Sequence, residues 1–285
     1  MSCSSRDTLT RNNHRPNWII TTALIAGFAV TMNFYALNLL APEINHWCKQ
    51  PEDMRNYTSE QWKEIAIPKQ NGKYSSCLVF QQPTSSGPNR SVINCSLWDF
   101  DPNVNVRTLT NDHHLVCGRR KMTATSRAAY FVSGLCTTPL WGHLIDAFGR
   151  RNLLITATAG TLFSTIAMIF SWSFEAFLTF RTAQAAALSL LRVVSVVALF
   201  DLSTTKTRDR NVCICHYGES FARLVLAFLT GSIIDKNVIY ILLMVPASSL
   251  LYNLFTARES GKWLAATHPW LCGAVLWVNK AGILF

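Results

Sequence analysis

Three stretches of this chain, 18–40, 152–172 and 238–256, run without a single charged residue. A helix rises about 1.5 Å per residue, so about 20 residues cross a hydrocarbon core of roughly 30 Å. Each stretch is apolar all round, which suits lipid rather than a half-wet surface. Three more are long enough but hold a few charges: 122–145 with Arg127, 177–200 with Arg181 and Arg192, and 212–234 with His216, Glu219 and Arg223. Six such stretches in 285 residues leave no room for the surface of a soluble protein. The reading is six membrane spans. Composition agrees, since 15% of residues are charged, against about 25% in ordinary globular domains.

The first stretch is longer than the 7–15 apolar residues of a signal peptide, and no A-x-A-like site follows it. It reads as a retained span, with Trp18 and Tyr35 near its ends, where amphipathic aromatics favour the interface. The net charge of +10 does not point to nucleic acid, because the basic residues cluster between spans rather than along one face.

Those clusters set the orientation, because Lys and Arg are retained on the cytoplasmic side. Arg6, Arg11 and Arg15 precede span one, and Arg150 and Arg151 follow span two. Lys206, Arg208 and Arg210 follow span four, and Arg258 and Lys262 follow span six. The expected layout is a cytoplasmic tail 1–17, span one at 18–40, an outer loop 41–121 and span two at 122–145. A cytoplasmic turn 146–151, spans at 152–172 and 177–200, and a cytoplasmic loop 201–211 come next. Spans at 212–234 and 238–256 then lead into a cytoplasmic segment 257–285. The expected location is the plasma membrane, with the N-terminus inside.

The outer loop holds all three N-x-[ST] sequons, at Asn56, Asn89 and Asn94. It also holds Cys48, Cys77, Cys95 and Cys117, an even number suited to an oxidising compartment. Two disulfides are expected, with three pairings open. Cys213, Cys215 and His216 have no fourth ligand within reach, so no metal is assigned.

Ionisable groups inside spans are costly unless paired or wetted, so each is a site hypothesis. Glu219 and Arg223 are four apart on one helix face, the spacing of an internal pair. Arg181, near the outer end of its span, is placed to snorkel. Arg192 is deeper, without a partner on its own helix, and is a candidate for drawing an anionic group into a central cavity. Asn33, Tyr35 and Asn38 in span one are candidates for the same cavity, or for packing.

The turn after span two reads GHLIDAFGRR from Gly142 to Arg151. Gly142 permits close helix approach, Gly149 turns the chain, and Asp146, Arg150 and Arg151 offer charge-assisted bonds. This sequence resembles the G-x-L-x-D-x-x-G-R-R loop of the major facilitator superfamily. Further pieces are similar to its organic cation/carnitine transporter family: HWCKQP at 46–51, WKEIAIP at 62–68, CSLWDFD at 95–101 and LVCGRR at 115–120. Asp201 and Arg208 follow that family's acidic-x6-basic pattern, with Asp for Glu. ESGKWL at 259–264 stands where the family has E-S-P-R-W-L, and Pro246 sits mid-span as it does there.

The resemblance implies an all-α membrane protein, the six-span N-terminal half of a major facilitator fold with a large extracellular loop. It implies alternating-access transport of an organic cation, a carnitine-like zwitterion or an organic anion. A cytoplasmic network of Asp146, Arg150, Arg151, Asp201, Arg208, Glu259 and Lys262 would then gate the cycle. The implied partners are the small organic ion, the lipid bilayer, and a missing C-terminal half or partner chain, so a truncated or incomplete chain is expected. No hydrolase triad, phosphate loop or dinucleotide fingerprint occurs, and neither enzymatic activity nor a cofactor is expected. The alternative is a non-transporting membrane glycoprotein that associates with or regulates a full-length carrier.

Overall fold

The computed structural model describes residues 17–54, 56–70, 72–82, 90–101, 106–203, 206–230 and 235–253. Among them, helix α1 (Asn17–Leu40) is followed by strand β1 (His46–Cys48), α2 (Ser59–Ala66), β2 (Lys69–Gln70), β3 (Lys73–Tyr74) and β4 (Leu78–Phe80). Next come β5 (Val92–Asn94), β6 (Trp98–Phe100) and α3 (Leu109–His113). Five helices complete the order: α4 (Arg120–Phe148), α5 (Arg150–Ile169), α6 (Phe174–Leu202), α7 (Arg208–Leu229) and α8 (Lys236–Ser249). Four of them, α1, α5, α6 and α7, are long and apolar enough to cross a membrane. Helix α4 is as long as α6, and α8 with the 3₁₀ turn after it forms a shorter apolar helix.

The described residues fall into two compact units. The first comprises 17–36, Ala128–Phe228 and 240–253; the second comprises Leu37–Arg127, 229–230 and 235–239.

The first unit has the polarity expected of a bundle dissolved in lipid. On α5, Thr161 and Thr165 are buried while Phe163 and Ile166 are 69% and 41% exposed, the inverse of a soluble helix. The buried hydroxyls are satisfied within the helix: Thr158, Thr161 and Thr165 each donate to the carbonyl four residues back, at 2.8–2.9 Å. Small side chains with internally satisfied hydroxyls let helices approach closely where no hydrophobic effect drives them together. Between α4 and α6, the Trp141 indole donates to the Ser189 hydroxyl at 2.8 Å, and Thr137 bonds the same hydroxyl. The core runs through Ala26 of α1, Tyr130 and Ile145 of α4, Leu154 and Ala157 of α5, and Leu188 and Leu191 of α6.

The turn expected at 146–151 shrinks to one residue. Helix α4 continues to Phe148, Gly149 takes φ +86°, and α5 begins at Arg150. Charges mark where lipid ends, not where a helix must end, and only Gly149 adopts that φ without a Cβ penalty. Ser173 caps α6 by accepting from the Ala176 N–H at 3.1 Å.

The second unit adds three two-stranded antiparallel ladders that the sequence reading did not anticipate: β1 with β6, β2 with β3, and β4 with β5. Strands of two or three residues are too short to display a period-2 pattern. Disulfides join Cys48 to Cys95 and Cys77 to Cys117. Trp47, Trp62, Ala66 and Ile67 form a small core, where the Trp62 indole donates to the Cys48 carbonyl at 2.9 Å. Thr58 and Gln61 close a capping box on α2. Asn56 and Asn94 are exposed, while Asn89 lies outside the described residues.

Candidate functional site

Two mid-helix charges meet in the first unit. Residue 192 of a helix beginning at 174 is roughly 27 Å along its axis, and Glu219 is about 16 Å from either end of α7. Arg192 on α6 forms an ion pair with Glu219 on α7. Glu219 also faces Arg223 at 3.6 Å and the His216 Nδ1 at 3.4 Å, so one carboxylate serves two guanidinium groups and an imidazole. The partner that Arg192 lacked on its own helix comes from the neighbouring one. A cleft of about 330 Å³ opens beside it, lined by Arg192, Cys215 and His216 and walled by Val193, Val197 and Val212.

Two glycines bring α1 against this cluster. A Cβ on Gly218 would lie 2.2 Å from the Leu24 carbonyl oxygen, so α7 and α1 touch backbone to backbone there. A Cβ on Gly27 would lie 3.2 Å from the Cys215 carbonyl, 3.3 Å from Glu219 Cγ and 3.5 Å from an Arg192 nitrogen. The Cys215 thiol contacts the Ala23 carbonyl at 3.4 Å and Arg192 at 3.7 Å, which occupies it in packing. The sequence reading missed both glycines. Their signal was the small-x3-small spacing of Ala23 with Gly27 and of Gly218 with Ala222.

Arg181 does not snorkel. It is 1% exposed and donates to the Asn33 carbonyl at 3.0 Å and to the Gln184 amide oxygen at 3.3 Å, with its guanidinium 4.7 Å from the centre of the Tyr130 ring. Gln184 donates in turn to Asn33 Oδ1 and to the Thr165 hydroxyl, both at 2.9 Å. Asn33, a candidate for a cavity wall, is fully buried in this seam joining α1, α5 and α6. Tyr35 is partly exposed and packs edge-on to Phe34, while in the second unit Asn38 accepts from Arg127 at 2.8 Å. These three polar residues of α1 thus divide between packing and surface.

At the Gly149 end, Arg150 bridges two helices. Its Nε donates to Asp201 at 3.0 Å and its Nη2 to Asp146 at 3.1 Å. Arg150 and Asp201 are 13% and 18% exposed, whereas Asp146 is 77% exposed, so the Asp201 bond is the better shielded. Arg208, expected opposite Asp201, lies 5.5 Å from the Phe200 ring, and its buried Nε has no partner among the described residues. Arg151 is exposed. Gly142 does not mediate close helix packing here: among the described residues nothing lies within 4 Å of where its Cβ would be. Glu259 and Lys262 lie outside the described residues.

A shielded salt link beside a one-residue turn, and an ion pair well inside two long apolar helices, are costly in lipid unless they have a use. The model of the Major Facilitator Superfamily matches residues 122–275. The chain belongs to this superfamily. Among its relatives, solute carrier family 22 member 7 of Mus musculus is 26% identical over 258 residues, covering 83% of this chain and 47% of that protein. A beta-alanine transporter of Drosophila melanogaster is 21% identical over 282 residues, covering 87% and 46%. The chain thus spans about half the length of the curated relatives it matches. In fold it is similar to a D-xylose-proton symporter, with TM-score 0.51 and 14% identity over 93% of this chain and 53% of that one. This major facilitator chain has its relatives in solute carrier family 22, in agreement with the organic cation/carnitine transporter resemblance, and it is an integral membrane protein.

Proposed function

We propose that this chain forms one six-span half of an alternating-access carrier for small organic anions or zwitterions, and that a second bundle of spans completes it. The observation that carries the reading is the Glu219 carboxylate shared between Arg192 and Arg223 well inside the helices. Two guanidinium groups against one carboxylate leave the cluster net positive. A substrate carboxylate can take over one guanidinium from Glu219, exchanging one ion pair for another with no charge left unpaired in a low-dielectric site. A cation would have to pull Glu219 away from both arginines. A relative named for beta-alanine, which bears a carboxylate and an ammonium, supports the zwitterion side of this choice.

Gating follows from the Arg150 bridge. The shielded Arg150–Asp201 bond ties the start of α5 to the end of α6 in one state, and its loss in the other supplies a differential energy that substrate binding can offset. The basic turn at Arg150 and Arg151 faces the cytoplasm in this reading, as does the N-terminus. The disulfide-bonded unit with its exposed Asn56 and Asn94 faces outward at the plasma membrane and is glycosylated.

Uptake of a labelled organic anion, carnitine and an organic cation into vesicles bearing this chain together with the bundle that completes it tests the assignment. Saturable anion or carnitine flux that Arg192→Gln abolishes supports it. Saturable flux of the cation alone overturns the substrate class. No saturable flux of any of the three, with normal surface glycosylation, favours the non-transporting glycoprotein.

A further inference from the structure

Beside the Cys77–Cys117 disulfide stands an imidazole whose tautomer is set by its surroundings. His46 Nδ1 lies 2.9 Å from the Ile44 carbonyl, which can only accept, so Nδ1 carries its proton there. The other ring nitrogen, Nε2, then faces the Cys117 sulfur at 3.7 Å. The nitrogen of His46 and the sulfurs of Cys77 and Cys117 all lie within 4.8 Å of one another, and all three residues are half-buried rather than sealed in a core. In the second disulfide Cys48 is 2% exposed while its partner Cys95 is half-buried.

Cys117 has φ +52° and His114 has φ +50°, the two positive-φ residues other than glycine among those described. For side chains other than Gly, Asn and Asp, this region costs on the order of 1–3 kcal/mol and persists only where surrounding contacts impose it. The segment carrying Cys117 is therefore held by its crosslink and neighbours in a conformation it relaxes from once released.

We propose that Cys77–Cys117 is a thiol-exchange site, in which a low-molecular-weight thiolate attacks the Cys77 sulfur and Cys117 leaves as a thiolate held by His46. The new bond forms between the incoming sulfur and Cys77 Sγ, while the Cys77–Cys117 bond breaks. The electron pair of the broken bond departs with Cys117. The free Nε2 of His46 takes the proton that the incoming thiol sheds on becoming a thiolate and passes it to that sulfur, so Cys117 ends as a thiol. One disulfide is consumed and one mixed disulfide is made, so the exchange needs no other oxidant or reductant. Attack on Cys77 is preferred over Cys117 because the leaving group beside the imidazole is the more stabilised one. Cys77 is thus the residue modified, and Cys117 is the free thiol produced.

The test treats the detergent-solubilised full chain with millimolar reduced glutathione, traps free thiols with iodoacetamide at timed intervals, and maps adducts by mass spectrometry. Glutathione is expected on Cys77 and the alkyl group on Cys117, with Cys48–Cys95 opening later. His46→Asn keeps a donor for the Ile44 carbonyl but removes Nε2. His46→Asn should slow the exchange about tenfold and lose the Cys77 preference with it. Glutathione mainly on Cys117, both disulfides opening together, or an unchanged rate and adduct ratio in His46→Asn would each overturn the proposal. The adduct map of the wild-type chain decides even if the variant fails to fold.

Discussion

Gly218→Ala probes the contact on which the Glu219 cluster rests. Its new Cβ would sit 2.2 Å from the Leu24 carbonyl oxygen, 3.0 Å from the carbonyl carbon and 3.2 Å from Cα, all backbone atoms of α1. Ordinary van der Waals contact begins at about 3.4 Å, so α1 must retreat by about 1.2 Å or α7 must rotate. Overpacking of this kind costs about 1–3 kcal/mol, and alanine's helix preference returns up to about 1 kcal/mol. A net loss of about 1–2 kcal/mol corresponds to a drop in Tm of about 2–3 °C for a chain of this size. Gly27→Ala should lose less, because its nearest neighbours stand at 3.2 Å and beyond and two of them are side-chain atoms. Gly142→Ala meets nothing within 4 Å among the described residues and should be neutral or slightly stabilising. Intrinsic-fluorescence melting of the three variants in one detergent measures the series. If Gly218→Ala melts at or above the wild type, or Gly142→Ala is the worst of the three, the backbone contact between α1 and α7 is not what holds this region.

Gln184→Leu removes the donor to Asn33 and Thr165 and one acceptor of Arg181, leaving buried polar groups unmatched; a loss of about 1–3 kcal/mol is expected in the same melts. Asp201→Asn should reduce uptake several-fold while Asp146→Asn changes it less than twofold, because exposed pairs contribute about 0–1 kcal/mol and only the Asp201 bond is shielded. Equal effects in flux measurements would refute that ordering. Burial holds the His113 imidazole below its ordinary pKa of about 6.5, more than neighbouring Asp112 raises it. The unfolded chain then binds the extra proton first, so stability falls as pH drops through about 6.5 towards the folded value. A His113→Asn chain should show a flatter dependence of Tm on pH between 7.5 and 5.5, and parallel curves would count against the assignment.

The helical frame was legible because lipid demands it: about 20 apolar residues in a row have few other uses. Helix ends were less so. Asp146, Arg150 and Arg208 are charged yet lie within helices, and only the φ of Gly149 separates α4 from α5. The GHLIDAFGRR motif pointed to the Arg150 bridge, while the partner of Arg192 stayed hidden because it lies 27 positions away on another helix. Arg181 was read as snorkelling from its place near a span end. The Asn33 carbonyl and the Gln184 side chain, which hold it inside, are invisible to a one-helix reading. The small ladders of the second unit are set by disulfides and long-range pairing, and three-residue strands leave no periodic trace.

The bond from Arg181 to the Asn33 carbonyl spans 148 positions of chain. At synthesis rates of about 5–20 residues per second, α1 waits roughly 7–30 s in the bilayer before its arginine partner emerges. The seam that locks the finished bundle therefore also sets an order of assembly, in which α1 gains its arginine partner only after α4 and α5 have been made.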